Sequence, residues 1–313
     1  MPENRLIPLP VVLGPTGSGK SDLSLYIARS IGAEIVNFDS VQVYRGFDVG
    51  TAKVPPAERQ GVPHHLIDIV GPTDLFTAGD YARAATAIVQ EISERGRIAV
   101  LVGGTGFYLR GLLEGLSPGP ARNNALRARL QERERKRAGS LHKILTRLDP
   151  QSAMRIHPND KNKTMRALEV RLLEGATLSS MFERGRTALS GYLPVKIGLD
   201  PPRDLLYARL NERARKMFEA DLLDEVRGLL ASGVPRNAKP FESLGYKQAL
   251  QAIEGFITRE QALESTQQET RRYAKRQLTW FRKGQDVQWI SGFGHEPQVQ
   301  TEALAILQRA RAT

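Results

Sequence analysis

Leu9-Pro10-Val11-Val12-Leu13-Gly14-Pro15-Thr16-Gly17-Ser18-Gly19-Lys20-Ser21 is the stretch that decides the fold. An apolar run of strand length ends in a glycine-rich turn, and Leu23, Ile27 and Ile31 then recur at helical spacing. Residues 14–21 fit G-x4-G-K-[ST], in the strand–loop–helix context that motif requires. Its glycines let backbone N–H groups converge on phosphate oxygens, and the helix start adds partial positive charge. On this reading Gly14, Pro15, Thr16, Gly17, Ser18 and Gly19 form a cradle for a nucleotide or diphosphate. Lys20 bridges phosphates and the Ser21 hydroxyl holds Mg²⁺. The motif specifies a phosphate chain without singling out ATP.

Outward from this loop, further short apolar runs alternate with helical patterns. Glu34–Phe38, His65–Ile69, Arg97–Val102, Val195–Leu199 and Val287–Ile290 read as buried strands. The expected fold is α/β, a P-loop-type parallel sheet with helices on both faces. The pattern breaks after Leu116 at Ser117-Pro-Gly-Pro120. From there to about Gly191 the sequence reads as helices alone, so an all-helical insertion is expected. The expected segments are 1–116 (core, first part), 117–190 (insertion) and 191–313 (core, second part, with a basic helix and tail). Arg203 to about Trp280 reads as helical, as does Glu302–Arg311.

Composition narrows the chemistry. The 313 residues contain no cysteine, which excludes disulfides, Cys-ligated zinc, iron–sulfur clusters and a thiol nucleophile. No apolar run approaches the ~20 residues of a membrane span, and MPENRLIPLPVVLG lacks a signal-peptide pattern. Cytoplasmic residence and no membrane partner are therefore expected. The formal net charge of +11 points to a polyanion. Two segments carry it. Residues 121–147 hold nine Lys/Arg against two Glu, with Arg129, Arg133 and Arg137 at i, i+4, i+8. Residues 271–283, RRYAKRQLTWFRK, hold six Lys/Arg and no acid. Tyr273 and Trp280 lie seven apart there. Base stacking is one reading of them; packing of Tyr273, Leu278, Trp280 and Phe281 against the sheet is the reading preferred here.

A phosphate loop usually has a carboxylate partner on a second strand. Arg97–Val102 ends in Gly103-Gly104-Thr105-Gly106, without one, whereas Glu34–Phe38 ends in Asp39. Asp39 either serves the metal of a kinase or does other chemistry in the crevice beyond the strand ends. His64-His65 do not read as a metal site, because neighbours in a strand point to opposite faces.

Several stretches together resemble one family: GPTGSGKS, GAEIVNFDSVQVYRGFDVGTAK, VPHHLIDI, LVGGTGFYLRGLLEGL, RIHPNDKNKTMRALEV, SLGYKQ and YAKRQLTWFR. They look like the bacterial tRNA dimethylallyltransferases, or isopentenyl-diphosphate:tRNA transferases, over residues 11–282. The resemblance implies transfer of a dimethylallyl group from dimethylallyl diphosphate to N6 of the adenosine 3′ of the anticodon (position 37). Dimethylallyl diphosphate and the tRNA anticodon stem-loop are the implied partners, Mg²⁺ the implied cofactor, and a monomer the expected state. By the same resemblance Asp39 is the general base, Thr105 positions the amine or the bridging oxygen, and Arg213 contacts the diphosphate. Ser40, Val41 and Gln42 would line a flipped-out adenine. Arg127, Lys163, Arg166, Ser243, Gly245, Tyr246, Lys247, Lys275, Arg276, Gln277, Trp280 and Arg282 would face tRNA.

The chain departs from the family pattern in three places. Gly17 stands where alanine is common, Lys161-Asn162-Lys163-Thr164 follow Asn159-Asp160 in place of a common Gln-Arg, and Asp221 stands where glycine is usual. The competing readings are an ATP-dependent P-loop kinase and an RNA-binding P-loop protein without chemistry.

Overall fold

A computed structural model describes residues 6–117, 119–183 and 186–312. Among them, six strands form one parallel sheet in the order β3-β2-β4-β1-β5-β6. The strands are β1 (Ile7–Leu13), β2 (Glu34–Asn37), β3 (His64–His65), β4 (Ala99–Val102), β5 (Tyr192–Leu199) and β6 (Val287–Ile290). β1 lies between β4 and β5, its Val11 in register with Leu101 on one side and Lys196 on the other. Such near-continuous apolar strands suit a sheet covered on both faces.

Helices α1 (Lys20–Ile31), α2 (Ala78–Glu94) and α3 (Gly106–Leu113) belong to the first half of the sheet. The helical segment carries α4 (Asn124–Lys136), α5 (Ser140–Leu148), α6 (Pro150–Arg155), α7 (Lys161–Glu174) and α8 (Leu178–Glu183). After β5 come α9 (Arg203–Glu219), α10 (Leu222–Ala231), α11 (Tyr246–Ile253) and α12 (Arg259–Phe281); α13 (Pro297–Ala312) follows β6. The chain forms two compact units. One comprises residues up to Leu113 together with those from Leu189 onward, and the other is Glu114–Ala188.

In the sheet unit, Leu23 and Ile27 of α1 and Val299, Ala303 and Ile306 of α13 bury Val12, Ile35, Val100 and Ile197. The tail helix, silent as a functional signal, thus completes the sheet's core. Val11, Val36 and Leu101 alternate with that set and are equally buried, and α2 packs on β2 and β4. A capping box of Thr77 and Asp80 starts α2. A second core joins α9, α10, α11 and α12 to Val43, Tyr44 and Phe47.

The helical unit has its own core of Leu130, Leu141, Leu145, Ile156, Met165 and Leu168. Its interior also holds Glu134, whose carboxylate accepts from the Gly139 and Leu141 N–H groups and so caps α5 from α4. Arg137, expected on one helical face with Arg129 and Arg133, follows the last turn of α4 with extended backbone (φ −144°) and leaves that face.

The strand expected at His65–Ile69 stops after His65. Leu66 (φ 60°) and Asp68 (φ 58°) turn left-handed, which no strand tolerates. The ammonium of Lys53 holds the turn, contacting Asp68 at 2.5 Å, Asp48 at 2.7 Å and the Tyr44 carbonyl.

Candidate active site

The loops leaving β2, β4 and β1 converge at the carboxyl end of three neighbouring strands, where open α/β sheets bind ligands. A pocket of about 300 Å³ opens there. Thr16, Gly17, Gly19, Lys20, Ser21, Asp39, Gln42, Arg213 and Gln277, all expected at a site, line it.

The phosphate loop is built by its neighbours. Gly17 has φ +78°, and a Cβ there would stand 2.6 Å from Leu210 Cδ2. The positive φ suits glycine, and the Leu210 methyl of α9 lies where a Cβ would point. Gly19 precedes α1 in a left-handed conformation without a side-chain cap, leaving first-turn N–H groups available to an anion. The Lys20 ammonium donates to the Pro15 carbonyl at 2.8 Å. Burial lowers its pKa to about 8, Asp39 opposing the fall and Arg213 adding to it. The Ser18 hydroxyl is buried with no hydrogen-bond partner among the described residues.

Arg213 projects from α9 and donates to Thr16 Oγ1 at 3.4 Å. Burial lowers its pKa too, and no carboxylate ion-pairs with it among the described residues. Arg209, one turn earlier, also lines the pocket. It lies over the Phe293 ring (5.1 Å) and 3.1 Å from His295 Nδ1. Sequence reasoning missed Arg209, although its i−4 spacing from Arg213 was there to read.

Asp39 sits just past β2. Its Oδ1 accepts from the N–H groups of Val41 (2.8 Å) and Gln42 (3.3 Å), and its own N–H donates to Asn37 Oδ1. No hydrogen bond from the described residues reaches Oδ2. Thr105 Oγ1 accepts from the Ser40 N–H at 3.0 Å and lies 3.2 Å from Ser40 Oγ. Thr105 therefore fastens the loop after β4 to the loop bearing Asp39, beside the pocket rather than in its wall. Gln42 donates to the Thr51 carbonyl. His64 also lines the pocket, its Nδ1 donating to Val62 O, while His65 pairs with Glu34 at 2.7 Å.

The chain matches the model of the IPP transferase family over residues 42–284. It is 56% identical over 298 residues to the tRNA dimethylallyltransferase of Solibacter usitatus, covering 95% of this chain and 97% of the relative. It is 48% identical to the tRNA dimethylallyltransferase of Koribacter versatilis, at 95% and 97% coverage. The chain belongs to the IPP transferase family. The crystal structure of the tRNA isopentenylpyrophosphate transferase of Bacillus halodurans superposes with TM-score 0.70 at 36% identity, covering 96% of this chain and 97% of that one. A eukaryotic dimethylallyltransferase acting on tRNA gives TM-score 0.80 at 26% identity, covering 98% and 78%.

Other residues expected to face tRNA in this IPP transferase chain lie elsewhere. Tyr246 is fully buried, stacked edge-on against Phe47 (4.9 Å), with its hydroxyl bonded to Glu225 and the Gly50 N–H. Glu225 also accepts from the Asp48 and Val49 N–H groups, so this network shapes the loop leading to Thr51. Gly245 is buried and the Ser243 hydroxyl donates to Pro240 O, leaving Lys247 as the exposed member. Gln277 is buried in α12; its Oε1 accepts from the Thr16 N–H (2.8 Å) and its Nε2 donates to Gly104 O (2.9 Å). Both ends of that amide thus clamp the phosphate loop to the loop after β4, at the wall of the pocket.

Lys275 and Arg276 are exposed, whereas Arg282 is held by Asp200 at 2.6 Å. Trp280 does not pack into the core as preferred above: it is 42% exposed, while Ala274 and Phe281 take the buried positions. In the helical unit, Arg127 and Arg166 both bind the buried Glu169, and Lys163 pairs with Asp160 at 2.9 Å. Asp160 also accepts from the Lys163 N–H and caps α7. That explains why Lys161–Thr164 can begin a helix whatever their contact with RNA. Nothing in the structure explains Asp221.

Proposed function

We propose that this chain transfers the dimethylallyl group of dimethylallyl diphosphate to N6 of adenosine 37 of tRNA, releasing diphosphate. The observation that carries this reading is Asp39: one oxygen is fixed by backbone, the other is open, and both stand in one pocket with the phosphate loop, Lys20 and Arg213. An exocyclic adenine amine is a weak nucleophile. As the C–N bond forms and the allylic C–O bond breaks, Asp39 Oδ2 takes the N6 proton. Negative charge grows on the departing diphosphate, where the first-turn N–H groups of α1, Lys20 and Arg213 stabilise it. Thr105 holds Ser40, and through it the base, in register; Ser40, Val41 and Gln42 border the space for a flipped adenine.

The donor set suits a magnesium ion that arrives on its substrate. Ser21 offers an exposed hydroxyl at the pocket, and no group of three His, Asp or Glu forms a cage among the described residues. Ser21 would hold Mg²⁺ together with the donor's phosphate oxygens, and the ion would supply further charge neutralisation on the leaving group. One chain supplies every group the pocket uses, so a monomer suffices. Among the described residues no helix is long and apolar enough to cross a membrane, and a tRNA substrate supports a cytoplasmic reaction.

Phosphate transfer from ATP is the weaker reading, since β4 runs into Gly103-Gly104-Thr105 rather than into a carboxylate. Labelled dimethylallyl diphosphate incubated with unmodified tRNA is expected to give labelled tRNA. Label passing from ATP instead, with no prenyl transfer, would overturn the proposal. The pH profile is a second check. Lys20 loses its proton near pH 8 in the free protein, so donor affinity is expected to weaken as pH rises through about 8.

A further inference from the structure

Beside the pocket, three flat side chains gather on the surface of the sheet unit. Phe107 and Trp280 are 46% and 42% exposed, unusual for rings of their size. The Arg110 guanidinium lies 5.2 Å from the Phe107 ring centre and 5.1 Å from that of Trp280. Arg110 is exposed and has no carboxylate partner among the described residues. The indole rests directly on Gly106, where any Cβ would collide with its Nε1. The cluster is therefore a built feature: Gly106 is bare so that the indole can lie across the start of α3.

Its position relative to the chemistry is fixed by sequence. Gly106 and Phe107 follow Thr105 directly. Trp280 lies two helical turns along α12 from Tyr273, which lines the pocket. Seven residues of helix span about 10 Å, within the reach of a neighbouring nucleotide on one RNA strand. Exposed Lys275 and Arg276 share that stretch of α12. An aromatic surface with fixed cations around it suits a base with a π-face on a charged backbone better than an apolar peptide.

We propose that Phe107, Arg110 and Trp280 form a stacking platform for an unpaired nucleobase of the RNA substrate, next to the nucleotide that enters the pocket. This rests on the RNA-substrate reading above and adds to it a binding site for single-stranded RNA. Stacking holds the neighbour in place while its partner is turned out of the loop, and it rejects paired RNA, whose base faces are covered.

Trp280 is one of two tryptophans in the chain, so Trp289→Phe leaves it as the sole reporter. Titrating that variant with an anticodon stem-loop is expected to quench its emission saturably. A fully paired hairpin of equal length is expected to leave the emission unchanged. In the otherwise unaltered protein, Phe107→Leu should weaken stem-loop binding about tenfold and paired-hairpin binding less than about twofold, without changing the salt dependence; Phe107→Tyr should restore it. Stem-loop binding without quenching, or equal losses on both RNAs, would overturn the platform. Neither readout needs the donor or turnover, so a failed transfer reaction leaves this test standing.

Discussion

Glu169 in α7 and Asp39 after β2 both stand among cations, and every hydrogen-bonding direction of the first is taken. Glu169 accepts from the Asn123 N–H (2.7 Å), from Arg127 through both oxygens (3.1 and 2.9 Å) and from Arg166 (2.8 Å). Burial pushes its pKa up, and these donors more than reverse it, to about 2. Asp39 spends one oxygen on the Val41 and Gln42 N–H groups and keeps the other open, with Lys20 and Arg213 lacking a carboxylate of their own among the described residues. Satisfied charge holds helices together, whereas charge left partly unsatisfied in a pocket is available to a substrate.

The largest effect expected from this contrast is at Asp39. Asp39→Asn keeps an oxygen for the Val41 and Gln42 N–H groups and removes the base. Single-turnover transfer is expected to fall about 10³-fold, while tRNA affinity changes less than about twofold. Loss of affinity with the rate on the complex preserved would make Asp39 a binding group and break the contrast.

At Glu169 the expected effect is on stability. Glu169→Gln leaves Arg127 and Arg166 without their counter-charge in a buried site, at a cost of about 3 kcal/mol in urea unfolding near pH 7. The pH dependence has a definite sign. The folded pKa, about 2, lies below the ordinary 4.5. The contribution is therefore fully present above about 4.5 and is lost as pH falls through about 2. The Gln variant should lose less stability than the parent across that window. Parallel pH curves for the two proteins would show that Glu169 is not depressed.

The loops that line the pocket were legible in the sequence because their geometry is local. Gly14–Ser21 needs only its flanking strand and helix, and Asp39 announces itself at the end of an apolar run. What stayed hidden depends on residues far apart in the chain. Gln277 reads as a polar residue in a basic helix until Thr16 and Gly104 are seen at its two ends. Tyr246 reads as surface until Phe47 and Glu225 enclose it. The early end of β3 depends on Lys53 reaching Asp68, 15 residues along. Most consequentially, a count of arginines does not say which are free. Arg127 and Arg166 come from different helices, and only the folded unit shows that one carboxylate takes both.

That distinction sharpens the comparison through its smallest expected effect. Arg129, Arg133 and Arg137 are exposed, and the two Glu of residues 121–147 are engaged elsewhere. Glu132 pairs with Arg135 and Lys136, and Glu134 caps α5. Changing the three arginines to Gln should leave urea unfolding unaltered and weaken tRNA binding. Each phosphate contact removed should flatten the log–log salt dependence by roughly 0.7 to 0.9. Arg127→Gln should behave in the opposite way, lowering stability as Glu169→Gln does, with little change in salt slope. A flattened slope for Arg127→Gln would show that the Glu169 bridge opens to RNA. An unchanged slope for the triple variant would mean that these arginines face only water, and that the basic helix α12 carries the backbone contacts by itself.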